Sequence, residues 1–446
     1  MSRFVRSSKF RHVFGKAAKP EESYFDLKVS RTAWDSNKVY GNTSFVACLW
    51  EARGGGSFAV LPADAYGKAP PNLPLFAGHK NSVLDLDFNP FNDAVIASAS
   101  EDGYSKIWQI PDGGLKETCR EPVQNLLGHK RKVGTVDWHP TAENVLATTS
   151  ADYTVKLWDV TKGEAKTEAS GHTNLIQSLS WNYDGSLFAT SSKDKKCRIF
   201  DPRSSSTATH EIAAHNGNKG SRVQWLGEQG KLFTCGFSRM SERQMAVWDP
   251  RDTSKPLKHQ NIDTSSGQLM PYYDNDTRLM FLAGKGDGNI RYYEITDEKD
   301  VIYYISNFQT NTPTLGISGL PKYGNDIAGC EIVRILKGHN NGITPISFTV
   351  PRKSDLFQDD IFPDTAGNEP SLSADEWFGG KNADPKKISL GTDFKPKVTK
   401  KEVVVEKKEE KKELTPVELK DENERLEKRV AYLESELRKR DPSWSG

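Results

Sequence analysis

The stretch GKGDGNIRYYEI, Gly284 to Ile295, comes nearest to a phosphate cradle in this 446-residue chain. A P-loop ends in Gly-Lys-Ser/Thr and opens a helix, so that backbone amides and the lysine meet the phosphates. GKGDGN lacks that ending and runs into the strand-like NIRYYEI, which predicts a hairpin turn. Four of the nine histidines occupy Gly-His positions and His215 a degenerate Ala-His one, and neither HExxH nor GxSxG occurs. Structural hydrogen bonding is therefore their expected role. The five cysteines, Cys48, Cys119, Cys197, Cys235 and Cys330, are scattered without a CxxC pair, so neither zinc nor a redox centre is predicted and a reducing cytosol fits best. The chain is expected to be no enzyme and to need no cofactor.

Sixty-one basic and 60 acidic residues leave a net charge of +1. No global field recommends nucleic acid or a membrane surface, and a charged partner must be met by a local patch. No apolar run approaches the roughly 18 residues of a membrane span. The start, MSRFVRSSKFRHVFG, is basic without the apolar centre of a signal peptide; its Arg and Ser, with no acid, leave a transit peptide as the alternative.

Repeats position these residues. Gly-His recurs at Gly78-His79, Gly128-His129 and Gly171-His172, with Ala214-His215 as a degenerate fourth. The blocks close on Trp108-Gln109, Trp158-Asp159, Phe200-Asp201 and Trp248-Asp249. That period is the signature of a WD40 propeller blade. Within the blocks VLDLDFNP and KVGTVDWHP alternate apolar and polar residues before a proline stop, and NDAVIASAS and ENVLATTS follow as small-residue strands that suit a crowded interior.

SEDGYSKIW, SADYTVKLW, SKDKKCRIF and KGDGNIRYY share one frame. An aspartate (Asp102, Asp152, Asp194, Asp287) is followed four residues later by a base and two beyond that by an aromatic. The frame reads as a tight turn between two strands, with the aspartate accepting backbone bonds. In WD40 folds such an aspartate joins His, Ser or Thr, and Trp in a buried network. The sets here include His79, Ser98, Asp102 and Trp108, and likewise His129, Thr148, Asp152 and Trp158. The aromatics Trp108, Trp158, Phe200, Trp248 and Tyr293 are read as blade core. Trp34 to Leu61 supplies a first blade and Val301 to Val350, with Gly338-His339, a last one. A strand near Arg11 to Phe14 is expected to close a ring of seven. The fold class is all-β, a seven-bladed WD40 β-propeller over 1–350.

Four stretches carry more than propeller geometry: VRSSKFRHVFG (Val5 to Gly15), GGGSFAVLP (Gly54 to Pro62), VPRKSDLFQDDIFPDT (Val350 to Thr365) and EPSLSADEWFGG (Glu369 to Gly380). Through them the chain closely resembles coronins over almost its whole length, except the linker after Lys395. The resemblance implies a propeller that binds filamentous actin, a C-terminal extension (351–393) packed against one face, a linker and an oligomerising coil. It attributes actin binding to basic propeller residues, notably an arginine that falls on Arg31 in VSRTAWDSN. Further positive candidates are Lys130, Arg131 and Lys132 in GHKRKVG, and Lys193, Lys195 and Lys196 in SKDKK. A cluster of such heads attracts an acidic filament in a salt-dependent way, whereas a single lysine ordinarily just solvates its turn.

The ending is legible from residues alone. KPKVTKKEVVVEKKEEKK is charge-rich with almost no aromatics and reads as a solvated, flexible linker over 394–413. LTPVELKDENERLEKRVAYLESELRKR then starts a helix with Thr415 as cap, Pro416 at its first position and Glu418 completing a capping box. Leu419, Leu426, Val430, Leu433 and Leu437 fit alternating a and d positions, with Asn423 at a, so 414–446 reads as a coiled coil. Arg429 and Glu434 flank Val430 and Leu433 in a pattern associated with parallel trimers; Asn423 favours a dimer. Trimer is the preferred expectation.

The expected function is a cytoplasmic scaffold of the actin cytoskeleton and cell cortex that binds and crosslinks or bundles filaments. By resemblance the coil also contacts the complex that nucleates branched filaments, which makes the protein a regulator of filament turnover, motility, endocytosis and phagocytosis. The alternative is a propeller adaptor for membrane traffic or ubiquitin ligation with incidental actin contact.

Overall fold

The computed structural model describes residues 7–52, 54–353, 356–391, 398–405, 430, 431 and 434. Those up to Val405 belong to one compact unit, and Val430, Ala431 and Glu434 to a second. In the first unit, seven antiparallel sheets form a ring. Their innermost strands touch one another in a closed cycle, so the sheets are the blades of a propeller around a central channel. Blade 1 is Val39–Gly41, Phe45–Leu49 and Phe58–Pro62, edged by Phe76, which bridges to Phe58. Blades 2 to 6 are four-stranded and span 83–126, 133–169, 176–213, 222–263 and 269–309. Blade 7 is Gly316–Gly319, Glu331–His339 and Gly342–Thr349, with Phe14–Ala17 as its outer strand. Pairing of Phe14 to Thr349 and Ala17 to Ile346 ties the two ends of the propeller together and covers an edge that would otherwise be open.

Two expectations shift. Ile302–Gln309 pairs with Asn289–Ile295 and is the outer strand of blade 6, not part of the last blade. The reason is that the repeated aromatic ends the third strand of a blade, so each sequence block is offset from its blade by one strand. Gly338-His339 likewise lies at the end of a second strand rather than before an inner one, and His339 bonds Thr344 (3.2 Å).

The small-residue strands Val95–Ser100, Val145–Ser150 and Phe188–Ser192 are buried at every position, because neighbouring blades press on both of their faces. Inner strands have no ladder to the next blade, and side chains supply the missing bonds. Asp85 accepts from the Val136 amide (3.2 Å) and Asp87 from that of Trp138 (2.8 Å). Ser178 and Ser180 serve Val223 (2.9 Å) and Trp225 (3.0 Å) in the same way.

This stitching crowds carboxylates on the channel wall. Burial pushes Asp85 up to about 6 and Asp87 up to about 8, and burial together with the charges of Asp87 and Asp85 holds Asp137 well above the usual carboxylate range. Tyr40 and Arg222 face Asp85 and partly offset its burial. Groups with raised folded pKa values bind more protons folded than unfolded, so their contribution to stability falls as pH rises from about 4 through about 8. Asp137→Asn, which removes one of these charges, is therefore expected to raise the melting temperature by a few degrees (~2–4 °C) at pH 8 and by less at pH 5. Melts at the two pH values check it; equal shifts would remove the channel carboxylates as the cause.

Candidate functional site

In each blade the chain enters the inner strand, and turns from the second strand to the third, at one end of the ring. The Gly-His loops and aspartate turns are therefore neighbours. In blade 2, Trp108 Nε1–H donates to Ser98 Oγ (2.9 Å), Ser98 lies 2.7 Å from His79 Nε2, and His79 Nδ1 lies 2.9 Å from Asp102. Burial lowers the His79 pKa, so the ring is neutral. Nδ1 carries the proton toward the carboxylate and Nε2 accepts from the serine. Burial alone would raise Asp102, but bonds from His79 and the Lys80 and Tyr104 amides outweigh it and bring it down to about 2. Blade 3 repeats the chain through Trp158, Thr148, His129 and Asp152 at 2.8, 2.8 and 3.0 Å. Their work is to lock the turn to the inner strand.

Asp194 and Asp287 depart from that pattern. His172 bonds Thr190 (2.8 Å), while Asp194 takes the Thr173 amide (3.2 Å) and Arg198 (2.8 Å). Asp287 has no Gly-His partner, because Gly267-Gln268 stands where the pair would be. It pairs instead with Arg243 of blade 5 (2.7 Å), whose side chain is fully buried and also clasps Asp263 (2.6 Å). Arg243 escaped the sequence reading because blade 5 carries FSRMSERQMAVW, without the aspartate frame. The GKGDGN turn does join Leu279–Gly284 to Asn289–Ile295 as a hairpin, and its Lys285 reaches Asp35 (2.9 Å) rather than a phosphate.

All seven candidate bases lie at this same end. Arg31 sits in the connection into blade 1, Lys130 to Lys132 in the loop before blade 3, and Lys193, Lys195 and Lys196 in the turn of blade 4. They are exposed except half-buried Lys132. The structure spends some of them locally. Lys132 pairs with Glu101 (3.5 Å) and lies over the Trp34 ring, Lys195 donates to the Asn216 carbonyl (3.1 Å), and Lys196 pairs with Glu211 (2.5 Å). The side chains of Arg31, Lys130, Arg131 and Lys193 make no ion pair within 4 Å among the described residues. Beside Arg31 runs a groove of about 610 Å³ lined by Lys28, Trp50, Glu51, Lys68, Pro70 and Pro71. Lys28 and Trp50 carry no repeat signal and were missed.

The opposite end is occupied. Ser371 donates to Thr141 (2.9 Å) and the Glu143 amide to Leu372 (3.0 Å), in the loop between first and second strands of blade 3. The short helix Ala374–Phe378, capped by Ser373, inserts Trp377 among His139, Trp181 and Phe188. Residues 398–405, expected as free linker, also lie on this end. The Asp93 backbone amide donates to the Thr399 carbonyl (2.8 Å), the Asn92 side chain to that of Lys401 (2.7 Å), and Val403 packs on the cluster around Val95 and Trp158. Backbone bonds with Asn92 and Asp93 outweigh the charged composition there.

Val430 and Glu434 are helical, and Val430 is 52% exposed in the single chain. Leu419, Asn423, Leu426, Arg429, Leu433 and Leu437 lie outside the described residues, as do 394–397 and 406–413 of the linker.

Residues 72–109, 120–159 and 163–201 match the family model described as "WD domain, G-beta repeat", and 343–385 one described as a type of WD40 repeat. Residues 3–68, which hold Arg31, match a domain of unknown function, DUF1899. Coronin-A of Dictyostelium discoideum is 53% identical over 443 residues, 99% of this chain and 98% of that protein. The chain belongs to the coronin family. The crystal structure of the WD40 domain of Toxoplasma gondii coronin superposes with a TM-score of 0.81 at 34% identity, covering 85% of this chain and 97% of that one. A chain of the mitotic checkpoint complex (TM-score 0.57, 14% identity, covering 79% of this chain and 98% of that one) shares the fold alone. In this coronin the basic residues and the extension thus occupy opposite ends of one propeller. Among the described residues no helix is long and apolar enough to cross a membrane, and no group of three His, Cys, Asp or Glu side chains is arranged to hold a metal ion.

Proposed function

We propose that this coronin binds the sides of actin filaments through the end of the propeller that carries Arg31. One observation supports this above the rest: the seven bases gather at the end that the extension and residues 398–405 leave open. Arg31, Lys130, Arg131 and Lys193 offer unspent charge to an acidic filament, and the attraction weakens as salt rises. The coil at 414–446 joins several such heads as a trimer, so that one molecule crosslinks or bundles filaments. Contact of the coil with the complex that nucleates branched filaments extends the role to filament turnover in motility, endocytosis and phagocytosis, at the cytoplasmic cell cortex.

Cosedimentation with purified filaments at low salt tests the reading. The wild-type chain is expected in the pellet; if it stays in the supernatant, the adaptor for membrane traffic or ubiquitin ligation takes precedence. Arg31→Ala is expected to weaken binding about 10-fold, the scale of a lost charge-assisted contact. Its melting temperature should move by less than about 1 °C, because the side chain is exposed. Unaltered affinity would take Arg31 out of the site.

A further inference from the structure

We infer that Trp34 and Asp35 form a plug across the mouth of the channel that positions Arg31 against the blade 3 bases, an inference that rests on the filament-binding reading of that end. Arg31 stands in a connection, 26–38, that contains no strand beyond the lone bridge of Val29 to Trp50. Such a segment would be mobile unless tied down. It is tied on four sides. Trp34 Nε1–H donates to the Gly134 carbonyl of blade 3 (2.9 Å), and Lys132 Nζ stands 5.1 Å from the Trp34 ring centroid. The Asp35 carbonyl accepts from Arg222 of blade 5 (2.8 Å), and its carboxylate pairs with Lys285 of blade 6 (2.9 Å). Lys38, buried in blade 1's approach, donates back to Thr32 Oγ1 (2.7 Å), and the Arg31 amide itself is held by Glu51 (2.8 Å).

The seat under Trp34 is specific. A Cβ added at Gly134 would lie 2.3 Å from Trp34 Cζ2, and its three nearest atoms all belong to that indole. Glycine is therefore required there by the close approach of Trp34. The plug also gives the GKGDGN lysine its role: Lys285 anchors Asp35. Through Trp34, a base on blade 3 and the loop bearing Arg31 share one rigid support, so ordering Arg31 is completed before the filament arrives.

A double-mutant cycle on the full chain with purified actin filaments tests this, using Arg31→Ala, Trp34→Ala, their combination, and Gly134→Ala as a second way to unseat the indole. Trp34→Ala and Gly134→Ala are expected to weaken filament binding about 5-fold. The double variant Arg31→Ala/Trp34→Ala should be no weaker than Arg31→Ala alone within about 2-fold, because Trp34 acts through Arg31. Trp34→Ala should also lower the steepness of the salt dependence although it removes no charge, which a merely structural role would not do, and Trp34→Phe should restore part of the affinity. If Arg31→Ala weakens binding while Trp34→Ala and Gly134→Ala do not, or if the losses multiply, the plug inference is overturned and the filament-binding end stands. If Arg31→Ala itself leaves affinity unchanged, the plug inference falls with Arg31's place in the site, and the filament-binding reading falls only if the wild-type chain fails to pellet with filaments.

Discussion

Trp377→Ala is expected to lower the unfolding free energy by about 3–5 kcal/mol, the range for deleting a fully buried large aromatic. The side chain has no exposed surface and its ring centroid lies 4.6 Å from His139, 4.9 Å from Phe378 and 5.8 Å from Trp181. Arg203 stands over the same ring at 4.9 Å, and Nε1–H donates to the Gly185 carbonyl (3.2 Å). Removing it opens a cavity between blade 3, blade 4 and the extension that cannot collapse, since ridged sheets wall two sides. A second readout is specific to the place. Burial holds His139 down to about 3, and loosening the extension should let that imidazole titrate nearer to 6.5, visible by NMR. Urea and thermal unfolding give the energy; a loss under about 1 kcal/mol would mean that the extension is not anchored at Trp377.

Deletion of 414–446 is expected to convert an oligomer, preferably a trimer, to a monomer and to weaken apparent filament affinity by roughly 100-fold or more. The loss comes from avidity, because linked heads rebind at high effective concentration without any new contact. A short helix is marginal alone, so the proposed seam of Leu and Val at a and d positions would demand partners. Analytical ultracentrifugation reads the mass and cosedimentation the affinity. An unchanged mass would exclude the coil as the oligomeriser. A monomer of undiminished affinity would show that one head suffices, leaving Arg31 and its neighbours as the whole of the interaction.

Trp377 belongs to the extension packed on one end of the propeller, whereas Arg31 and the other candidate bases lie at the other. Expectation and structure diverge instructively in the tail. Charge-rich composition argues for a solvated segment from Phe394 onward, yet residues 398–405 lie along the blade 2 loops through Asn92, Asp93 and Gln109. Composition reports how a segment behaves alone; two backbone carbonyls meeting an asparagine side chain and an aspartate amide across some 300 residues are not a property of either segment.

Sequence alone determined the blade repeat, the hairpin reading of GKGDGN and, three residues early at Arg11 to Phe14 instead of Phe14–Ala17, the strand that closes the ring. Each depends on local chemistry: left-handed turn residues, alternation, and a histidine, hydroxyl, aspartate and indole within one block. The coronin resemblance was legible there as well, as motifs. Tertiary structure alone decided that Asp287 pairs with Arg243 instead of a histidine, that Lys285 holds Asp35, and that Trp34 seats on Gly134. It also decided that the extension covers the end opposite the bases. These contacts join residues 40 to 250 positions apart in sequence, and they exist only because closing seven sheets into a ring brings loops of non-adjacent blades to one rim.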